Sequence, residues 1–325
     1  MNRVSATSPS PQVTLVRRLA LASVVANVGI VLTGGAVRLT DSGLGCPTWP
    51  RCTDDSYVAT SEMGVHGVIE FGNRLLTFVL AAIAVAGVVA ARRVRPRQRR
   101  LVTLAVAAAL GIPAQAVVGG LTVLTDLNPW VVGLHFLASM VVIACAYGFW
   151  RVALAPAAEL ATPEPTPARS SVPRPLRALA GLVAAVTAAL LIVGTWVTGS
   201  GPHSGDSGAA RNGLDPESIS QVHADLAFLL LGLALAAWLG WRAVAPAGPA
   251  ARAAGLLVAV VVGQGVVGMV QHFTGLPELL VAVHLLGSCL TWLAALHLWH
   301  TTHTHAPPTR QVEGPAPVPV PAAAR

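Results

Sequence analysis

The chain has 325 residues, of which 54% are hydrophobic and 11% charged, and its mean hydropathy is +0.65. A soluble domain covers its core with a solvated polar surface, so this composition excludes one and points to an all-α polytopic membrane protein. The formal net charge of +7 rests on arginine alone, in short clusters and not in one stripe, which excludes a nucleic-acid partner.

Residues 1–18 are rich in Ser, Pro and Thr, lack apolar periodicity and end on Arg17 and Arg18, so they read as a disordered cytoplasmic arm. The run over 19–39 is too long for a signal-peptide core and leads into no small-residue cleavage site, so it reads as the first transmembrane helix. Seven further runs follow, over 63–91, 101–124, 130–150, 177–199, 218–241, 253–271 and 278–299, each long enough to span hydrocarbon at about 1.5 Å rise per residue. The eight spans divide into an N-terminal half (19–150) and a C-terminal half (177–300). A Pro/Ala-rich linker (151–176) separates them, and a Pro/Ala tail (301–325) follows. Arginines fill the even-numbered connections, as at Arg92, Arg93, Arg95 and Arg97, while carboxylates such as Asp41, Asp54 and Glu62 fill the odd ones. Both termini are therefore expected in the cytoplasm, and the loop holding Cys46 and Cys52 outside a cell membrane crossed many times.

The halves read as parallel repeats of four helices. Gln115 and Gln264 sit in matching stretches, Gln-Ala-Val-Val-Gly and Gln-Gly-Val-Val-Gly, and each is followed twenty positions on by a histidine, His135 or His284. The stretch Gly34 to Gly43 has its counterpart in Thr195 to Gly201, at the end of the first span of each half. Corresponding residues are then expected at corresponding depths.

Polar groups inside such spans are costly, roughly 2.5 to 3.5 kcal/mol for a central charge, and are kept where they face protein or a bound group. His66, Glu70 and Asn73 share one helical face, with Arg74 beside them. His66, His135, His223 and His284 all fall near the start of an even-numbered span, roughly 6 to 10 Å below the outer surface by helical rise. Two histidines per half suit axial ligation of a porphyrin iron between helices. For any one of them the alternative is a hydrogen-bonding core residue, and zinc fits less well because the repeat divides the ligands into pairs. Arg38 and Arg74 are the nearest cations for the propionates of such a porphyrin, with pairing to Asp41 or Glu70 as the structural alternative. Glu70, one turn from a ligand position, is placed to accept protons. Cys46 and Cys52 are candidates for a disulfide, reversible or fixed, whereas Cys145 and Cys289 look like small buried residues. His203 and His272 in outer loops, and His297, His300, His303 and His305 toward the inner tail, read as solvated.

These pieces resemble the haem A synthase family over both halves. The specific motifs are Gly34-Gly-Ala-Val-Arg-Leu-Thr-Asp-Ser-Gly-Leu-Gly-Cys-Pro-Thr-Trp-Pro-Arg-Cys52, Ile69-Glu-Phe-Gly-Asn-Arg-Leu-Leu76 and Val197-Thr-Gly-Ser-Gly-Pro-His-Ser-Gly-Asp206. The resemblance implies oxidation of a ring methyl of haem O to a formyl group, giving haem A for cytochrome oxidase. It implies a haem b in the C-terminal half on His223 and His284, and haem O as substrate in the N-terminal half on His135, with Glu70 as the catalytic carboxylate. Haem O synthase, the oxidase assembly route, an electron acceptor and membrane lipid are the implied partners. The sequence departs from the family pattern Glu-x-x-His-Arg in the second helix, where Asn73 replaces histidine. His66, on the same face, is the expected substitute ligand; otherwise His135 holds the substrate alone and His66 carries protons. The rival readings are a bis-histidine membrane cytochrome b passing electrons to or from quinone, and a transporter built on the repeat.

Overall fold

The computed structural model describes residues 10–155 and 172–304. They form eight helices: α1 (Pro11–Leu39), α2 (Gly64–Arg93), α3 (Arg99–Leu124), α4 (Pro129–Ala153), α5 (Arg174–Ser200), α6 (Pro216–Val244), α7 (Pro249–Phe273) and α8 (Glu278–Thr304). A single turn of 3-10 helix at Ser61–Met63 leads into α2. All eight helices are long and apolar enough to cross a membrane, and the described residues contain no strand. The all-α, eight-span architecture expected from the sequence is therefore the observed one.

Helix starts follow local chemistry. Ser10 accepts a hydrogen bond from the Val13 backbone N–H, with Pro11 in the first turn. Proline needs no partner there, because the first N–H groups of a helix have none. α1 consequently begins eight residues before the expected span, and residues 11–18 are helix, not arm. The same pairing of cap and proline opens α4 at Asn128-Pro129 and α6 at Asp215-Pro216. Ser218 donates to Asp215 at 2.8 Å and holds that exposed carboxyl below the ordinary aspartate range. α4 and α5 reach into the expected linker as far as Ala153 and from Arg174, and α8 runs past residue 300 to Thr304. The rest of the linker and tail, and residues 1–9, lie outside the described residues.

α1 packs on α2, α2 on α3, α3 on α4 and α4 back on α1, and α5 to α8 repeat that ring. The rings meet through α1 and α4 on one side and α5 and α8 on the other. Val31, Met140, Ile143, Leu191 and Cys289 are buried in this seam, and the Trp292 indole N–H donates across it to the Met140 carbonyl at 2.9 Å. Each ring is packed most tightly toward the end remote from the Cys46–Cys52 loop. Val16, Ala91, Leu101 and Phe149 do this in the first ring, and Ala180, Trp241, Ala254, Leu257 and Leu298 in the second. Alanine at these crossings lets backbones approach, which matters in lipid because burial of apolar surface does not drive helix association there. Phe78, Phe228 and Leu110 are exposed on the outer faces, as lipid contact requires. The polar residues of interest gather at the opposite, loop-bearing end of each ring.

Candidate functional site

In the second ring His223, near the start of α6, faces His284, near the start of α8. Their ring centres are 6.3 Å apart and the planes are inclined by 60°. A glycine stands behind each imidazole: a Cβ at Gly194 of α5 would lie 3.1 Å from Cε1 of His223, and one at Gly268 of α7 3.3 Å from Cε1 of His284. Any larger residue would push the rings out of line. Gln264 Nε2 donates to the His284 carbonyl at 2.6 Å and pins that turn of α8 to α7. Nδ1 of His284 is buried without a hydrogen-bond partner, a costly condition that a ligand-holding histidine tolerates better than a purely structural one. A metal ion about 2 Å from one nitrogen of each ring sets the ring centres roughly 6 Å apart. Two facing imidazoles at this separation suit a group that needs two axial ligands.

The first ring repeats half of this site. His135 on α4 lies against Gly119 of α3, where a Cβ would be 3.1 Å from its Cε1, and its Nδ1 is likewise buried without a partner. Gln115 Nε2 donates to the His135 carbonyl at 3.2 Å and to the Ser139 hydroxyl. The residue in the place of His223 is Asn73. Gly34, the counterpart of Gly194, has Asn73 Nδ2 as its neighbour, 3.9 Å from where a Cβ would stand. Thr33 donates to Asn73 Oδ1 at 2.7 Å. His66 is brought to a different place: it lies two turns nearer the loop, exposed, with its Nδ1 bonded to the Ser42 hydroxyl at 2.9 Å.

The loop after α1 closes over the first ring. Cys46 and Cys52 are both fully buried and form a disulfide. Glu70, 5% exposed, accepts from the Cys46 backbone N–H through Oε2 and pairs through Oε1 with Arg74 at 2.5 Å. Arg74 also donates to the carbonyls of Cys46, Thr48 and Arg51, at 3.0 to 3.1 Å. The pairing of Glu70 with Arg74 named as the structural alternative is thus formed, and both side chains grip the disulfide loop. Trp49 within that loop lies directly over Gly120 of α3, the neighbour of Gly119. Glycine at 45 lets the loop backbone touch the backbone of His66 and Gly67 at the start of α2.

Arg38 differs from Arg74. It reaches from α1 into the second ring, donating to the Thr198 carbonyl at 2.7 Å, while its Nε is buried without a partner. Arg211, in the loop before α6, comes close enough for the two positive charges to repel each other, and is tied to the Pro202 carbonyl at 2.5 Å. Arg211 was not singled out by the sequence, although it is the one arginine of the fifth connection, on the arginine-poor side. Thr33, Ser42 and Trp49 had no such signal, because their roles depend on loop packing.

The solvated reading of the remaining histidines needs correction. His297 lies inside α8 and bonds through Nδ1 to the Tyr147 hydroxyl of α4 at 2.9 Å, joining the rings at their inner end. His203 bonds to the Leu276 carbonyl at 2.9 Å, and His303 stacks on Trp299. His203 is drawn in by the turn after α7, which sequence alone does not bring near it, whereas His303 stays exposed and meets Trp299 one turn back on α8. His300 has an interaction of its own, His272 is exposed against Phe273, and His305 lies outside the described residues.

The chain is similar to proteins named Heme A synthase. It is 35% identical over 120 residues to that of Geobacillus thermodenitrificans, covering 37% of this chain and 35% of the relative. With that of Symbiobacterium thermophilum it is 31% identical over 121 residues, covering 37% and 39%, and with that of Lysinibacillus sphaericus 32% over 126 residues, covering 38% and 40%. The matched chain thus spans between about a third and two fifths of the length of these curated relatives. Residues 17–203, more than half of the chain, match the family described as cytochrome oxidase assembly protein. That segment holds the first ring and α5, including His135, Asn73, the disulfide loop and the Glu70–Arg74 pair, and on this match the chain belongs to the cytochrome oxidase assembly protein family.

Proposed function

We propose that this protein is a haem A synthase: it binds haem O in the first ring and oxidises a ring methyl to a formyl group, with a resident haem b in the second. The observation that carries the reading is the duplicated histidine site, two imidazoles 6.3 Å apart in one ring and one of the pair repeated in the other. The Heme A synthase name of three relatives supports it from a second direction.

When bound, haem b supplies a one-electron redox centre that passes electrons on to an external acceptor. His223 and His284 hold it, and the glycines behind them leave room for rings aimed at a single iron. His135 holds the substrate haem. Arg38, with an uncommitted buried Nε, and Arg211 offer positive charge to the carboxylates of the bound groups, whereas Arg74 has its donors engaged by the loop. The disulfide loop, with Trp49 over Gly120, shields the first site from water. Glu70 is the carboxylate nearest Asn73 on α2. We assign it proton handling at the edge of that site, which requires that Arg74 and the loop release one of its oxygens.

The arginine distribution supports both termini in the cytoplasm and the disulfide loop outside the cell membrane. A membrane-impermeant thiol reagent applied to whole cells should then label Cys46 and Cys52 only after reduction; labelling solely in inverted vesicles overturns the orientation. Haem O synthase, as supplier of the substrate, and the assembling oxidase, as consumer of the product, are the partners of this reading.

The test is expression with a source of haem O and analysis of extracted haems. Haem A is expected, together with haem b. Haem b alone, in an otherwise fully loaded protein, would leave an electron-carrying cytochrome instead. Glu70→Gln should accumulate haem O, and unchanged conversion in that variant removes Glu70 from the chemistry.

A further inference from the structure

The two rings differ at one position that the family pattern does not anticipate. His223 closes the second site from α6, and its counterpart on α2 is Asn73. Three observations fix what Asn73 offers. Its Oδ1 is taken by the Thr33 hydroxyl at 2.7 Å, so the amide is oriented with Nδ2 toward Gly34. The space is looser than in the second ring, with 3.9 Å from a Cβ at Gly34 to Nδ2 against 3.1 Å from a Cβ at Gly194 to the His223 ring. His66, the one histidine able to compensate along that helix face, is held two turns away by Ser42 at 2.9 Å.

Resting on the haem assignment above, we propose that the haem of the first ring has His135 as its one protein ligand. The face toward Asn73 is then an open coordination position for a small neutral ligand of diatomic size. The amide nitrogen of asparagine, its lone pair delocalised into the carbonyl, is a poor metal ligand, and Oδ1 is engaged by Thr33. The second ring has no such position, because imidazoles occupy both sides. The protein therefore carries one reactive face and one sealed site on the same scaffold.

Carbon monoxide is the probe. Full-length protein purified from cells making haem O, reduced with dithionite and exposed to carbon monoxide, should show the spectral shift in roughly half of its haem, the rest staying low-spin. Asn73→His should keep the haem content and abolish the shift. Asn73→Leu should keep the shift, since neither side chain binds iron. His135→Ala separates the two layers of the argument. If it leaves haem content untouched, the first ring holds no haem and the parent reading falls together with the open face. If it removes half of the haem while the unmodified protein gives no carbon monoxide shift, the haem site stands and the open face is overturned. A silent site that His66→Ala opens would assign the sixth bond to His66, and an undiminished shift in Asn73→His would equally end the proposal.

Discussion

The first and second rings share helix order, a glycine behind each inward imidazole and a glutamine that hooks the carbonyl of the histidine on the next helix. They differ in the residue opposite that histidine and in what covers the site. The second ring presents His223 under a loop pinned by Asn212, which donates to the Trp196 carbonyl at 2.8 Å. The first presents Asn73 under a disulfide loop gripped by Glu70 and Arg74. Helix packing is thus the duplicated part, set by small residues at crossings. Ligand identity and cover vary without disturbing it, because they sit at the loosely packed ends of the helices.

The largest expected effect tests the symmetric part. On the proposed haem assignment, His223→Ala or His284→Ala should remove the haem of the second ring completely, seen as loss of roughly half of the pyridine haemochrome signal, while the first ring keeps its own. A full low-spin spectrum in both variants breaks the pairing of these residues. His66→Ala, by contrast, should leave haem content as it is.

Next come the features that the second ring lacks. Glu70→Ala strands Arg74 beside the loop and should cost about 2–3 kcal/mol, the buried-pair figure discounted for the partial exposure of Arg74. Glu70→Gln keeps one acceptor oxygen, for Cys46 or for Arg74 but not for both, and should cost somewhat less. Detergent-resistance or thermal unfolding followed separately through each haem reads this, and equal loss from both rings would show that the clamp is not local. Cys46→Ser should follow with about 2 kcal/mol, the chain-entropy estimate for so short a closed loop, again confined to the first ring and reproduced by a reductant in the unmodified protein.

The smallest effect returns to a shared device. Gln264→Leu and Gln115→Leu should each cost about 1 kcal/mol, the ordinary net worth of one hydrogen bond. Gln115 should be the more sensitive, since it also reaches Ser139. Equal insensitivity of both would mean that the glycine contacts alone set the rings.

Much of this was legible in the chain. Hydropathy located all eight helices, with α1 starting earlier because a Ser-Pro start reads as arm when apolar periodicity is the guide. The interval of twenty positions between glutamine and histidine turned out to be a physical bond in both rings. The correspondence of Asn73 with His223 was not legible by counting from span starts. The segment joining the first two helices runs from 40 to 63 and that joining α5 and α6 from 201 to 215, so depth had to be read from glycine neighbours instead. His66 looked well placed by helical phase, but Ser42 at the end of α1 draws it aside, a contact that no periodicity encodes. The engagement of Arg74 by three loop carbonyls is likewise a property of a folded loop and not of spacing.

Gly34 bears on what position 73 can carry. It stands behind Asn73 as Gly194 stands behind His223, and a Cβ there would lie 3.9 Å from the amide nitrogen, in ordinary contact. A side chain at 34 would crowd any residue larger than asparagine at 73. The glycine thus leaves that wall of the first ring open to a single-codon exchange of amide for imidazole.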